Sequence, residues 1–330
     1  MITRPTVLIL GAGASIPLGF PSGEELVSHI LTVLEKEDPA RTIKTTLERA
    51  MGIEGTPRAI LAQALQSLEP DYVIDNFREA LFYSGRQSID TFLEHNPQFL
   101  TVGKMAIASV LVPLENEQTL FSAKPNWYKL LFNHLNTEFD EFAENKLSIL
   151  TYNYDRSLEQ FLLTALRNAY QDMEDEYDRC WEQLSKIPII HLHGVLGEFP
   201  HSGPDELNHL ERMYDSHLTC RDLRVCAETI RVISEDVADQ PQFQQAHDLL
   251  RNADVICFLG FGWDPTNLSR LQINTRENWH PGLKRYGTTY NKGIAERDWI
   301  YSYFAQVGKI KLGNRADNID DFLRDFPVLF

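Results

Sequence analysis

The chain has 330 residues, 31 basic against 47 acidic side chains and a formal charge of −16. With 43% apolar and 24% charged residues it can fill a core and lacks the composition of a disordered polymer. The acidic balance repels a phosphate backbone, no run of about 18 apolar residues offers a membrane span, and Cys180, Cys220, Cys226 and Cys257 contain no Cys-x-x-Cys pair. The expectation is an acidic cytoplasmic protein in a reducing compartment, with no membrane and no direct nucleic-acid partner.

Thr6 to Leu10 is a continuous β-prone run, broken by Gly11-Ala12-Gly13-Ala14-Ser15, so a strand feeds a glycine-rich turn. Ser22 and Glu25 have capping-box spacing for a helix that should stop near Asp38-Pro39. From about residue 41 to 145 the pattern is mainly helical. Thr56-Pro57 reads as a cap and first turn, and apolar periodicity recurs at Phe77, Leu81 and Phe82, through Phe99 to Val110, and at Trp127 to Phe132. This is more helix than one crossover needs: residues 24–145 are expected to form a helical elaboration beside the sheet, or else several layers packed directly on it, within a single unit, 1–330.

Strand patterning returns at Leu147 to Thr151, then a polar loop Tyr152-Asn153-Tyr154-Asp155 and an amphipathic run Leu158 to Leu166. The acidic stretch Asp172 to Glu182 should face solvent. Pro188 to Gly194 and Asp254 to Gly260 read as further strands, the second preceded by a helix over Phe243 to Leu250. Leu268 to Ile273 and Ile294 to Phe304 look helical, with short β-like pieces at Tyr286 to Tyr290 and Lys309 to Leu312. The sum is an α/β protein with a principal parallel sheet interrupted by helices.

Four clusters carry chemistry. The Gly11-Ala12-Gly13 turn either lets backbone amides approach a pyrophosphate, with Ser15 as a further donor, or is a tight structural turn; Ile16 stands where a dinucleotide fingerprint has its third glycine. Asn153 is suited to hold a water or a ribose hydroxyl, whereas Asp155 is as credible a helix cap as a ligand. His191 and His193, spaced by two, would share one face of a strand; a third metal ligand is missing, and an imidazole ahead of Gly194 suits a catalytic base better. Gly260-Phe261-Gly262-Trp263-Asp264 either forms the far wall of a nucleotide pocket or packs Trp263 inward with Asp264 or Thr266 as a cap.

Taken in order, Leu10 to Ser15, Ser88-Ile89-Asp90-Thr91-Phe92, Thr151 to Asp155, Leu192-His193-Gly194 and Gly260-Phe261-Gly262 resemble the bacterial sirtuin-like NADase family, in its zinc-module-lacking members associated with antiphage defence. The resemblance implies a Rossmann-like sheet of sirtuin type. It implies Gly11, Ala12, Gly13, Ala14 and Ser15 in a phosphate-binding loop, and Gly260, Gly262 and Asp264 in a late nucleotide-binding turn. It also implies Asn153 as the catalytic or water-orienting asparagine, His193 as the catalytic histidine and Asp155 as the acidic partner. NAD is then the substrate, and no structural zinc is expected, since the cysteine spacing lacks the four-cysteine module of protein-deacylating sirtuins.

The activity so implied is hydrolysis of NAD to nicotinamide and ADP-ribose for regulated NAD depletion in antiviral defence. The alternatives are an NAD-dependent protein deacylase and a non-catalytic sensor of NAD or ADP-ribose. Self-association and a defence-system partner, such as a HerA-like ATPase or an Argonaute-like protein, belong to the same expectation.

Overall fold

The computed structural model describes residues 1–35, 55–66, 68, 72–170, 176–201, 207–232, 240–274 and 282–330. Among these, six strands form one all-parallel sheet: β1 (Thr6–Leu10), β2 (Leu147–Thr151), β3 (Ile189–His191), β4 (Val255–Leu259), β5 (Lys284–Gly287) and β6 (Ile310–Leu312). Their order across the sheet is β3-β2-β1-β4-β5-β6. That is the doubly wound, Rossmann-like order, whose direction of winding reverses between β1 and β4.

The central strands explain themselves. Every residue of β1 and of β4 is buried, as a parallel strand covered on both faces requires. Alternation then divides the core: Leu8, Leu10, Ile149, Cys257 and Leu259 pack into one hydrophobic layer, and Val7, Ile9, Leu150, Ile256 and Phe258 into the other.

The first layer holds most of the helices. Between β1 and β2 the described residues form α1 (Gly23–Val33), α2 (Pro57–Leu65), α3 (Val73–Ser84), α4 (Ile89–His95), α5 (Leu100–Leu111), α6 (Glu117–Ser122) and α7 (Trp127–His134), with short 3₁₀ turns. The residues dictate several starts. Ser22 and Glu25 make the reciprocal capping box of α1, and the Thr56 hydroxyl accepts the Ala59 amide ahead of Pro57. α5 is apolar nearly all round and is buried from Val102 to Leu111 apart from Lys104, which makes it the central helix of this layer.

The other helices among the described residues are α8 (Ser157–Ala169), α9 (Glu176–Ser185), α10 (Cys220–Thr229), α11 (Pro241–Arg251), α12 (Pro265–Arg270), α13 (Ile294–Phe304) and α14 (Ile319–Asp325). Phe243 of α11, Leu268 of α12 and Ile300 and Phe304 of α13 cover the second face of the sheet.

A buried charged cluster ties together the loops around Glu115, Arg156 and Arg212. Glu115, fully buried, accepts from Arg156 at 2.8 Å and from Arg212, and the Arg156 guanidinium also donates to the carbonyls of Arg212 and Met213. Burial pushes the Glu115 carboxyl above its ordinary value even with two guanidiniums beside it.

Four expectations need correction. α1 ends at Val33 rather than near Asp38-Pro39, and that pair lies outside the described residues. Phe82 falls on the apolar repeat of α3 but is exposed, because the helix buries Phe77 and Leu81 and turns residue 82 outward. The helix expected at Leu268 to Ile273 starts earlier, at Pro265, where Asp264 caps it. The third strand stops at His191, two residues short of His193. Of the acidic stretch, Asp178 and Glu182 are exposed, while 171–175 lie outside the described residues.

Candidate functional site

The pairing register brings the expected clusters to one edge of the sheet. Leu10 pairs with Thr151 on one side and with Leu259 on the other, and Thr151 pairs with His191. The residues that follow, Gly11, Tyr152, Leu192 and Gly260, therefore leave the carboxyl ends of β1, β2, β3 and β4 level with one another. In an open parallel sheet the crevice for a ligand lies outside this edge, at the reversal of strand order.

The two glycine turns are locked into each other. Gly11 N–H donates to Leu259 O at 3.1 Å and Gly13 N–H to Gly260 O at 2.9 Å, while Ala14 and Ser15 donate back to Gly11 and Ala12. A Cβ on Gly11 or Gly13 would stand 2.7 or 2.8 Å from the main chain of the 260 turn. Gly260 itself has φ +58, and a Cβ there would meet Ala14 N at 2.1 Å. The glycines thus serve the close approach of two loops, and four of the five amides from Gly11 to Ser15 donate to carbonyls of the chain itself.

Asn153 braces this arrangement. Its Nδ2 donates to Gly11 O at 3.1 Å and to Ser15 Oγ at 3.0 Å, and Trp127 Nε1 donates to Ala14 O at 2.9 Å from the other side. Asp155 accepts from the amide and hydroxyl of Ser157 at the start of α8. Burial pushes its carboxyl above the ordinary range, against hydrogen bonds from Ser157 and Ser15. A small cavity of about 10 Å³, the room of one water, is bordered by Ser15, Asn153, Asp155, Glu159 and His191 on one side and by aliphatic residues such as Leu10 and Ile149 on the other.

The two histidines do not form a pair. His191, the last residue of β3, sets Nδ1 against Asn153 O at 2.9 Å and Nε2 against Glu159 at 2.6 Å. Burial alone would lower its pKa, but the Glu159 charge and these bonds raise it. His193 lies past the strand in a tight turn, where Gly194 adopts φ +73 and Arg231 N–H donates to His193 O at 2.8 Å. Its Nδ1 is 3.4 Å from Asp90 Oδ1 of α4, and its ring sits 5.1 Å from that of Tyr152, edge to face. His193 Nε2 is buried and has no hydrogen-bond partner among the described residues. The period-two argument for a shared face fails because the strand ends between the two residues, and among the described residues no group of three or more His, Cys, Asp or Glu is placed to hold a metal.

In the late turn, Trp263 is buried with Nε1 donating to Thr288 O at 3.1 Å, and exposed Asp264 caps α12 by accepting the Asn267 amide at 2.9 Å. Gly262 is exposed, and a Cβ there would meet nothing within 4 Å. The fold brings Asn153, Asp155 and Ser15 together, and it brings His193 to Asp90, a contact that spacing along the chain could not reveal. The signal was present only as the Ser88 to Phe92 phrase.

No protein-family model matches the sequence, and no characterised protein matches it either.

Proposed function

We propose that the chain is a sirtuin-like NAD glycohydrolase, cleaving the nicotinamide–ribose bond of NAD to give nicotinamide and ADP-ribose. The observation that carries this reading is a buried imidazole with an unpartnered Nε2, His193, at the reversal point of a parallel sheet whose first turn is Gly11-Ala12-Gly13. A buried polar atom without a partner needs an explanation, and Asn126 Oδ1 and Tyr214 OH are others here; what distinguishes His193 is its place at the reversal point of the sheet, where this reading supplies a ligand group.

The chemistry asks little of the chain beyond position and a base. The nicotinamide ring leaves as a neutral molecule from a cationic substrate, so no acid is needed, and a polar enclosure must hold the ribosyl cation that develops. Among this chain's residues, His193 Nε2 accepts a proton from the attacking water or from a ribose hydroxyl. Asn153 holds the first glycine loop in register with the strand carrying it, through its bonds to Gly11 and Ser15. The rings of Tyr152 and Tyr154 wall off bulk water around His193.

The main-chain bonds of residues 11 to 15 bear on how a pyrophosphate would be held. With the Gly11, Gly13, Ala14 and Ser15 amides engaged internally, it would rely on rearrangement of the loop or on other donors at this edge. Product analysis by mass after incubation with NAD, with and without an acylated peptide, tests the reading. Equal release of nicotinamide and ADP-ribose supports hydrolysis. An acyl-ADP-ribose product would replace it by deacylation, and NAD bound without release by sensing.

A further inference from the structure

α4 belongs to the helical layer between β1 and β2, yet one of its faces reaches the crevice. Asp90 and Glu94 are four residues apart on this helix and so lie on the same side. Asp90 Oδ1 stands 3.4 Å from His193 Nδ1 and also accepts the Tyr154 hydroxyl. Glu94 accepts from Arg270 Nη2 at 2.8 Å, and Arg270 closes α12, the helix that follows the Gly260 turn. With two carboxylates, α4 therefore touches the β3 side of the crevice and the β4 side at once.

The contrast with His191 shows what is unusual here. His191 has both ring nitrogens matched, by Asn153 O and Glu159. His193 is matched at one nitrogen only, and the matched one faces a carboxylate. An imidazole with an anion at Nδ1 keeps its proton there and leaves the Nε2 lone pair free. Burial pushes the Asp90 carboxyl up, and the charge of a protonated His193 ring, with hydrogen bonds from His193 and the Tyr154 hydroxyl, brings it below the usual carboxylate range; with His193 neutral, the Tyr154 hydroxyl and the Nδ1–H remain as its donors.

We propose that Asp90 is a positioning residue that holds His193 as the Nδ1–H tautomer with Nε2 as the base, and that α4, anchored through Glu94 to Arg270, makes this base depend on the seating of the helical layer. The proposal rests on His193 being the base of the reaction proposed above and adds the residues that hold that base in place. The 3.4 Å separation is longer than an ordinary hydrogen bond, and the proposal requires it to shorten when the site is loaded.

Nitrogen-15 NMR of the histidine rings in the ligand-free protein reads the tautomer without any turnover. With spectra recorded in the neutral form of the ring, wild type should show a protonated Nδ1 and a bare Nε2 at His193. Asp90→Ala should give a mixture of tautomers or a reversal, and Glu94→Gln a smaller shift in the same direction. In NAD turnover, Asp90→Ala should lower kcat by at least about tenfold with KM little changed, and Asp90→Glu should restore part of it. Thermal melting of each variant identifies those that fold.

Nε2 protonated in the wild type, or an Asp90→Ala protein that keeps the wild-type tautomer, would overturn the proposal. A wild type that shows the stated tautomer and its loss in Asp90→Ala but cleaves no NAD would keep the positioning role and refute the NADase reading instead.

Discussion

Gly260→Ala probes the interlocked turns more sharply than any other single change. The residue sits at φ +58, where an L side chain costs about 1–2 kcal/mol. Its new methyl would stand 2.1 Å from Ala14 N and 2.3 Å from the carbonyl carbon of Gly13, both main-chain atoms that cannot rotate away. Overpacking of this kind costs about 1–3 kcal/mol once the structure has shifted. The shift weakens the Gly13 N–H bond to Gly260 O, worth about 1 kcal/mol. The expected loss is about 3–6 kcal/mol, a large share of the roughly 5–15 kcal/mol by which domains are stable. Gly262→Ala, two residues on, is the control: its Cβ meets nothing within 4 Å, and its effect should stay within about 0.5 kcal/mol. Urea unfolding followed by circular dichroism measures both. A Gly260→Ala protein within about 1 kcal/mol of wild type would refute the close-approach account of the two turns.

Three further outcomes follow from the same geometry. Glu115→Gln leaves Arg156 and Arg212 facing each other with no anion between them, and should cost about 3–5 kcal/mol in denaturant unfolding. The raised His191 pKa contributes stability that is fully present below its unfolded value of about 6.5 and is lost as pH rises through the folded value. Thermal melts from about pH 5.5 to 8.5 should therefore show a decline that Glu159→Gln flattens. Asn153→Ala removes the donor to Gly11 O and Ser15 Oγ and should destabilise the protein by about 1–3 kcal/mol, besides any loss of turnover.

The parts of the fold legible in the sequence are those decided locally. Thr6 to Leu10, Leu147 to Thr151 and Val255 to Leu259 are apolar on both faces and bounded by turn residues, so their identity as buried parallel strands needs no distant partner. The Ser22–Glu25 box and the Thr56-Pro57 start are likewise written within four residues. β3 is harder to read: only three of its residues pair, and the apolar Leu192 that prolongs the pattern already belongs to the turn.

The site was legible as a set of loops and illegible as a set of contacts. Glycines at 11, 13 and 260 announced turns, but not that each turn fills the space the other leaves. His191 and His193 look equivalent by spacing and differ in what surrounds them: one is enclosed by Glu159 and a carbonyl, the other by Asp90 and two aromatic rings. Asp90 was visible only as one residue of a short phrase, since its partner lies in a distant loop that the sheet register delivers. Asp264 stood among the expected ligand residues, and its short carboxylate caps α12, a duty any Asp ahead of Pro can take.

The central claim is that His193 is the base of an NAD-cleaving site. Nicotinamide release from NAD by the purified wild type and by His193→Ala, at matched folded concentration, tests it most directly. Wild-type release that falls by about 10²–10⁴ in the variant, with unchanged melting, is the predicted result. Equal rates in the two proteins, or no release by the wild type under any condition in which it binds NAD, would contradict it.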